Sequence, residues 1–572
     1  WAVGGAEASS SKYARGDTVP LYANKVGPFA NPSEVYEYYT LPFCAPNKEE
    51  RKNQHLGEVL GGDRMMMTLI QLPFLVKFDK HTLCSYTLRP EEVLKFQKAV
   101  DSDYYFEFIY DDIPIWGFVG EKMEDFVDGK NVTKYYLFTD YVFSITHNGD
   151  QVIEATWEPD PETRLDITDA TTEKEVHFRY SALWTKSHVQ SRAHALAEKH
   201  VGEHLEIRWF AIFNSLVTVL MLTGFLATIL MRVLKNDFLR YTQHDEESVE
   251  IEETGWKLVH ADVFRPPSNI TFFSAIVGNG TQLLCICIGV LFLACLGVYT
   301  HNNRGAMLVA ALLIFSLTSG INGYIAGAVY ATLQGTNWVS CLLISYFLFL
   351  GPFFVISAFL NSVAWANNSS TALPFGTVVI ILLILLLVSF PLNVAGSLWG
   401  KDNQTLFSSP CRSSKVARAI PPLPWYRSGV INVAAAGLLP FSAIYIELYY
   451  VFNSMWGHKL YTLYGILSLV FLILIIVTSF IAIAFTYFQV AAEDHRWWWR
   501  SLQTGGSAGI FIFFYGIYYF SYKTKMAGFM QTAFFFGYTG LACLAAWLIL
   551  ATVGWFASMC FVQYIYRNVK CD

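Results

Sequence analysis

The sequence is poor in charged residues and lacks the residue groupings that enzymes and nucleic-acid-binding proteins need. Charged residues make up 15% of the 572 residues, whereas soluble domains contain about 25%. The net charge is −6 and no long basic block is present, which argues against nucleic acid as a partner. No nucleophile–base pair, phosphate-binding loop or convincing set of metal ligands occurs. We therefore predict no enzymatic activity and no cofactor.

Apolar residues make up 53% of the chain, and nearly all of the excess follows Trp209. A soluble core cannot bury so many long apolar runs, so the bilayer is the predicted solvent of this part and the first predicted partner. Nine runs are long enough to cross about 30 Å of hydrocarbon, and the eighth is the shortest. The sequence thus predicts a multi-pass α-helical membrane protein with nine transmembrane helices. They cover residues 208–232, 277–300, 306–333, 338–364, 373–399, 429–453, 460–489, 505–522 and 532–565.

The residues before the first span have the polarity of an ordinary globular domain and the short periodicity of strands. Apolar residues alternate with polar ones from Val176 to Trp184, which is the pattern of a half-buried strand. Several such strands joined by turns favour an N-terminal β-sandwich-like domain. Further strands are predicted at residues 104–110, 135–146 and 151–157. A hairpin turn is predicted at 148–150 and one amphipathic helix at 90–100.

The orientation follows from the charge of the connecting segments. The first residue is Trp1 rather than methionine, as expected of a mature chain whose secretory signal peptide has been removed. Segments on the predicted cytosolic side contain fourteen Lys and Arg residues, and the opposite short loops contain four. We therefore predict a lumenal β-rich domain (1–186), a juxtamembrane stalk (187–207) and a first transmembrane helix (208–232). A cytosolic loop (233–276), an eight-helix transmembrane domain (277–565) and a cytosolic tail (566–572) follow.

Two covalent features are predicted for the lumenal domain. Of ten cysteines, Cys44 and Cys84 alone precede the first span. Two cysteines in an oxidising compartment allow one pairing, so we predict a Cys44–Cys84 disulfide; two buried free thiols are the alternative. Asn131-Val132-Thr133 is the sequon that we expect to be glycosylated.

One motif resembles a metal site. His200-Val201-Gly202-Glu203-His204 matches a zinc-peptidase pattern, in which two histidines one helical turn apart chelate zinc. The motif lies on the predicted stalk and has no third ligand, so we interpret it as an ordinary polar helix face and predict no metal. A pH-sensitive stalk is the functional alternative, since histidine titrates between neutral and acidic compartments.

Two polar residues inside the spans are candidate sites. Glu447 lies in the sixth predicted span, where an unpaired carboxylate is expensive. It either lines a groove for a substrate or a client's membrane segment, or it makes a structural hydrogen bond to a neighbouring helix. Asn393 follows Pro391, whose ring frees a backbone carbonyl that needs a partner. Small residues are predicted to permit close helix packing at Gly320, Gly323, Gly327, Gly396 and Gly437.

The loop after the first span carries the most specific residues. Residues 255–267, Gly-Trp-Lys-Leu-Val-His-Ala-Asp-Val-Phe-Arg-Pro-Pro, resemble a loop motif of the nonaspanins, the transmembrane 9 superfamily, with Ala261 where glycine is expected. Other blocks that resemble the family occur in order along essentially the whole chain, and the short N-terminal domain resembles the shorter-lumen branch. These blocks lie at residues 41–44, 111–117, 322–324, 373–377, 391–393, 439–441 and 493–499.

The resemblance implies a location in Golgi and endosome membranes and a role in the localisation of other membrane proteins. Lys570-Cys571-Asp572 resembles the Lys-any-Asp/Glu terminus by which nonaspanins are retained through the COPI coat. We therefore predict coat binding by Lys570 and Asp572, with client membrane proteins as further partners. A transporter or channel for a small solute or lipid, and a lumenal glycan- or lipid-binding module, are the alternatives.

Overall fold

The computed structural model describes most of the chain. The predicted stalk beyond residue 188, which includes His200 and His204, and the tail with Lys570 and Asp572 lie outside the described residues. The described residues are 11–48, 50–127, 130–188, 209–246, 255–299, 305–402, 410–411, 414, 416–422, 425, 429–457 and 464–567.

The N-terminal domain is built from three β-sheets and two helices, α1 (Leu56–Leu60) and α2 (Pro90–Asp101). The sheets have the strand orders β2-β1-β5-β6 with β3 beside β1, β10-β9-β12-β4, and β11-β8-β7. β9 and β12 run parallel, and the other pairs are antiparallel. The described strands are β1 (Leu21–Pro28), β2 (Tyr36–Glu37), β3 (Met66–Met67), β4 (Phe78–Leu88), β5 (Tyr104–Tyr110), β6 (Ile113–Phe118), β7 (Gly120–Val127), β8 (Lys130–Phe138), β9 (Asp140–Asn148), β10 (Gln151–Pro159), β11 (Arg164–Asp166) and β12 (Lys174–Lys186).

The first two sheets pack face to face, as the predicted sandwich requires. Phe106 of β5 meets Trp157 of β10 with ring centroids 5.2 Å apart, and Phe108 of β5 packs against Phe143 of β9. Phe106, Phe108 and Phe143 are fully buried, and burying each such side chain contributes about 1.5–3 kcal/mol. These contacts therefore identify the face of β5 that carries Phe106 and Phe108 as the core face.

Most local predictions for this domain are confirmed. The residues from Val176 to Trp184 form part of β12, with the apolar positions buried, and α2 covers the predicted helix. The β9–β10 hairpin turns at Gly149, whose φ of 61° suits glycine. The disulfide between Cys44 and Cys84 is present, with the two Cα atoms 6.2 Å apart.

The predicted strand over residues 135–146 is wrong, because this run forms two strands. β8 ends at Phe138 and pairs with β7 and β11, whereas β9 begins at Asp140 and belongs to the four-stranded sheet. Between them, Thr139 donates its hydroxyl to the carbonyl of Thr163. No glycine or proline marks this change of sheet, so periodicity alone did not reveal it.

Nine long helices follow in the described part of the chain. Eight are long and apolar enough to cross a membrane. The remaining one, Trp497–Lys523, has 27 residues but is less apolar, and it packs among the others. The helices are α3 (Trp209–Glu246), α4 (Ile270–Cys295), α5 (Ala306–Thr332), α6 (Trp338–Ala366), α7 (Phe375–Ile384), α8 (Phe390–Asp402), α9 (Gly429–Trp456), α10 (Tyr464–Ala491), α11 (Trp497–Lys523) and α12 (Phe529–Arg567). One of the nine is divided into two labelled parts, α7 and α8. α7 and α8 make one span, joined by a π-helical turn at Leu385–Ser389 just before Pro391.

The helix ends differ from the predicted span ends. α3 continues to Glu246 and α4 begins at Ile270, so the predicted loop 233–276 is partly helical. α11 begins at Trp497, eight residues before the predicted span. Hydropathy reports contact with lipid, whereas the first turns of α4 and α11 pack against protein, where an apolar run is not required.

The membrane helices pack as two lobes. The first lobe contains α4 to α8 and the second contains α9 to α12, and α12 joins them through contacts with α4 and α6. Glycines hold α5 against α8: a Cβ on Gly323 would overlap the carbonyl oxygen of Asn393, and one on Gly396 would overlap that of Gly320. A Cβ on Gly437 of α9 would come within 2.7 Å of the ring of Phe511 of α11. The prediction of close packing at these glycines is confirmed.

The N-terminal domain is docked on one end of the helix bundle. The carbonyl of Val35 accepts a hydrogen bond from the backbone N–H of Ser370, and Arg64 donates to the carbonyl of Ala372 at 2.7 Å. Gln531, in the first turn of α12, reaches the loop between β1 and β2. We call this the domain end of the bundle. The opposite end, where residues 255–269 pack, is called the loop end.

Candidate functional site

The loop end is built around the distinctive loop motif. Trp497 and Trp498, at the start of α11, both donate their indole N–H to the carbonyl of Val263, at 3.0 and 3.3 Å. The two side chains are 0% and 2% exposed. A tryptophan cluster beside a span is typical of the membrane interface, but the side chains of these two residues are enclosed by protein rather than by lipid headgroups. They fill protein core because the loop carbonyl offers their N–H groups a partner.

Asp262 of the loop motif binds the segment that connects α8 and α9. Its carboxylate accepts hydrogen bonds from the guanidinium of Arg265, the hydroxyl of Ser414 and the backbone N–H of Arg418. Burial alone would raise the pKa of this carboxyl, but these hydrogen bonds outweigh burial and hold the pKa below its ordinary value. The segment between α8 and α9 is thereby attached to the loop motif.

α12 ends against the same loop. The hydroxyl of Tyr566 donates to the carbonyl of Trp256 at 2.6 Å, and both side chains are 1% exposed. Arg567 is the last residue of the helix. The predicted coat-binding residues Lys570 and Asp572 follow three and five positions later, outside the described residues, so the base of the tail lies at the loop end.

The domain end carries an exposed aromatic surface. On β5 and β6, the side chains of Tyr105 and Trp116 stack with centroids 5.3 Å apart on the sheet face that points away from the sandwich core. Phe29, Trp116 and Phe118 are 46%, 47% and 42% exposed, and we call these three residues the aromatic patch. The same sheet face carries Glu107, which pairs with Lys25.

This sheet face is also the one that approaches the bundle. Lys25 lies 3.6 Å from Asp63 as well as 3.2 Å from Glu107. The neighbours of Asp63 reach the loop between α6 and α7: Gly62 lies close to Thr371, and Arg64 binds a carbonyl there. The aromatic patch is therefore the uncovered continuation of a docked surface.

Glu447 and Asn393, the two intramembrane candidates, lie in different lobes and are not brought together. Glu447 is 5% exposed and belongs to the buried stripe of α9 that also contains Pro440, Ile444 and Phe452. It therefore faces the second lobe rather than lipid. Asn393 is fully buried on α8 and donates its amide to the carbonyl of Ser319 at 3.2 Å.

A polar layer crosses the first lobe around Asn393. Asn279 and Asn322 both donate to the carbonyl of Ser345, at 2.5 and 3.0 Å, and Ser319 donates to the carbonyl of Ser389. Such bonds between helices contribute about 0.6 kcal/mol each. Sequence reasoning missed Asn279 and Asn322, although two amide side chains inside apolar spans were a usable signal.

The remaining predictions concern the glycosylation site, metal binding and the charged residues before α11. Asn131 lies in β8 beside the β7–β8 turn, but its side chain is outside the described residues, so its glycosylation stays a prediction. Within the described ranges, no group of three His, Cys, Asp or Glu residues is arranged to hold a metal ion. The charged residues at the start of α11 do pair, with Arg500 3.0 Å from Asp494.

Comparison with known proteins gives a consistent result. The family model described as endomembrane protein 70 matches residues 35–529. Transmembrane 9 superfamily member 4 of Arabidopsis thaliana is 50% identical over 99% of this chain and 96% of its own length. Member 1 of Mus musculus is 42% identical over 98% and 94%, and a putative phagocytic receptor 1b of Dictyostelium discoideum is 44% identical over 99% and 96%. No solved structure matches. With its strand-rich N-terminal domain and its bundle of long apolar helices, the chain belongs to the transmembrane 9 superfamily of multi-pass membrane proteins.

Proposed function

We propose that this protein assists the localisation and trafficking of other membrane proteins in the Golgi and endosomes. It binds clients through its lumenal domain and its membrane helices, and it couples them to the COPI coat through Lys570 and Asp572. The N-terminal domain is lumenal and the tail is cytosolic in this proposal. It acts by binding and not by catalysis.

The position of the end of α12 carries this proposal. Gln531 at the start of the helix contacts the N-terminal domain, and Tyr566 near its end contacts the loop motif at the opposite end of the bundle. A tail that starts at Arg567 therefore leaves the bundle on the side opposite the domain. Fourteen Lys and Arg residues in the segments predicted on that side, against four in the short loops predicted on the other, favour the cytosol there.

The aromatic patch is the proposed lumenal contact for clients. Three large aromatic side chains of one domain, each more than two-fifths exposed, are typical of a binding surface because they offer large contact areas at low entropic cost. The patch continues the surface that docks on the bundle, so a client held there also lies beside the membrane. Within the membrane, the burial of Glu447 favours its structural role over a groove-lining one.

The two halves of the proposal are tested by two variants of the full chain purified from intact Golgi membranes. The Lys570→Ser, Asp572→Ser variant is expected to lose coat subunits and to keep its client proteins, as measured by quantitative mass spectrometry. The Trp116→Ser, Phe118→Ser variant is expected to lose clients and keep coat. Leu183→Ser, at an equally exposed apolar residue on β12, is the matched control for the patch. Retention of coat by the tail variant would refute coupling through the tail.

The aromatic patch also favours a second candidate, the lumenal glycan-binding module. Exposed rings such as that of Trp116 stack on the apolar faces of sugars, and a relative is named a putative phagocytic receptor, a name that suggests recognition at a surface. An array of immobilised glycans probed with the full-length protein distinguishes the two functions. Specific binding that Trp116→Ser abolishes would favour glycan recognition, and a blank array would leave protein clients as the ligands of the patch.

A further inference from the structure

A small open cavity lies at the loop end between three helices of the second lobe. It lies beside the first turn of α9, the last two turns of α10 and the first two turns of α11. No carboxylate lines it. The lining residues are Gly429, Asn432, Val433, Phe485, Thr486, Gln489, Arg500, Ser501 and Thr504.

The depth of the cavity corresponds to the surface layer of a bilayer. α10 ends at Ala491 and α11 begins at Trp497, so Gln489 and Arg500 lie within about 5 Å of the helix ends along the axis. Phe485 and Val433 are one turn deeper and make the floor apolar. Polar groups at the mouth and apolar groups below match the boundary between lipid headgroups and acyl chains.

Two side chains of the cavity, those of Gln489 and Arg500, carry the donors that the ligand would use. The hydroxyls of Thr486, Ser501 and Thr504 already donate, to Ser558, to the carbonyl of Trp498 and to that of Arg500. The buried amide nitrogen of Gln489, in contrast, has no acceptor among the described residues. Together with the guanidinium of Arg500, it supplies donors for an oxygen-rich ligand.

The charge of the surroundings favours an anion. Arg500 lies 3.0 Å from Asp494, and Arg496 lies 3.7 Å from the same carboxylate. Glu493 is paired separately, with Arg418 at 4.0 Å. Among the described residues, two guanidinium groups thus share the single charge of Asp494, which leaves one positive charge of this pair for a ligand. A planar guanidinium matches the geometry of phosphate oxygens.

We propose that this cavity binds a phosphate group, supplied by a phospholipid of the leaflet at the loop end. Arg500 and Gln489 donate to the phosphate oxygens, and Phe485 and Val433 contact the glycerol and the first acyl carbons. This site is independent of client and coat binding.

The test uses purified full-length protein in detergent, with binding of phosphatidic acid, phosphatidylcholine or inorganic phosphate measured by native mass spectrometry. Gln489→Leu removes the amide donor at nearly constant side-chain volume. Arg500→Lys keeps the positive charge beside Asp494 but removes the planar guanidinium group. Each is expected to weaken phosphatidic acid binding at least tenfold with an unchanged unfolding temperature. Lys401→Gln removes an exposed charge on α8 at the same end of the bundle but outside the cavity; it is the control and should bind normally.

The outcomes separate the sources of the phosphate. Binding of phosphatidic acid with no binding of inorganic phosphate assigns the site to lipid. Equal, variant-sensitive binding of both assigns it to the phosphate group alone. Unchanged lipid binding by folded Gln489→Leu and Arg500→Lys would overturn the proposal, as would an equal loss in Lys401→Gln. Neither result bears on the tail or the aromatic patch, so this site and the proposed function fail independently.

Discussion

Replacement of Gly396 by alanine tests the closest helix contact in the membrane domain. The added Cβ would overlap the carbonyl oxygen of Gly320 and approach the backbone N–H of Tyr324 to 3.0 Å. Both obstacles are backbone atoms of α5, which cannot rotate aside as a side chain can. α5 and α8 would have to separate by more than about 1 Å to restore ordinary contact.

The expected cost follows from two contributions. Overpacking of this kind costs about 1–3 kcal/mol. Separation of the helices also weakens the bonds from Ser319 to the carbonyl of Ser389 and from Asn393 to the carbonyl of Ser319, each of which contributes about 0.6 kcal/mol. These contributions come to about 2–4 kcal/mol, of which the better helix propensity of alanine offsets about 1 kcal/mol. We therefore expect a net destabilisation and an apparent unfolding temperature that is lower by several degrees in detergent.

The control is Gly540→Ala on α12, where nothing lies within 4 Å of the added Cβ. Because alanine is a better helix former than glycine by about 1 kcal/mol, this variant should be neutral or more stable. Both proteins are purified in the same detergent and unfolded while tryptophan fluorescence is recorded. If Gly396→Ala unfolds at the temperature of Gly540→Ala, the close approach of α5 and α8 is not the basis of their packing.

Three further predictions concern the regions outside the bilayer. Cys84→Ser removes a cross-link over 40 residues and should destabilise the N-terminal domain by about 2–4 kcal/mol; unfolding without reductant measures this, and equal stability would contradict it. Tyr566→Phe leaves the carbonyl of Trp256 without its hydroxyl donor and should cost about 1 kcal/mol, seen as earlier unfolding of the loop end by hydrogen exchange. Because the pKa of Asp262 is lowered, its contacts should persist from neutral pH down to about pH 4, the ordinary range of the free carboxyl, and be lost only below it. Asp262→Asn should loosen the segment at Arg418 at every pH, and loss of protection in the unaltered protein already at pH 6 would refute the assignment.

The sequence predicted the spans well because their signal is local. A run such as that in α10, which contains no charged residue over Tyr464–Ala491, has no solvent other than lipid or protein core. The ends of α4 and α11 were predicted less well for the same reason. Their first turns lie in protein, where Phe273 packs against Trp498, and composition there does not distinguish a helix from a loop.

The candidate sites depended on information that a single sequence does not contain. A tryptophan cluster near a span is typical of the membrane interface, and only the position of the Val263 carbonyl shows that Trp497 and Trp498 are core residues. Likewise, an intramembrane carboxylate suggests function by its cost, but whether Glu447 faces a groove or the interior of the second lobe depends on the rotation of α9. Rotation is decided by packing, and packing was visible in the sequence only through its glycines.

α12 connects the N-terminal domain with the opposite end of the bundle. Gln531 and Tyr566 are thirty-five residues apart on this continuous helix, which corresponds to about 52 Å. One end of the helix contacts the N-terminal domain, and the other is fixed by the hydroxyl of Tyr566 to the loop motif. A helix packed along both lobes resists bending, so the aromatic patch and the base of the tail stay at a fixed separation. Under the proposed function, a client is therefore carried with the tail as one rigid body, and capture of the tail by a coat needs no signal from the lumen.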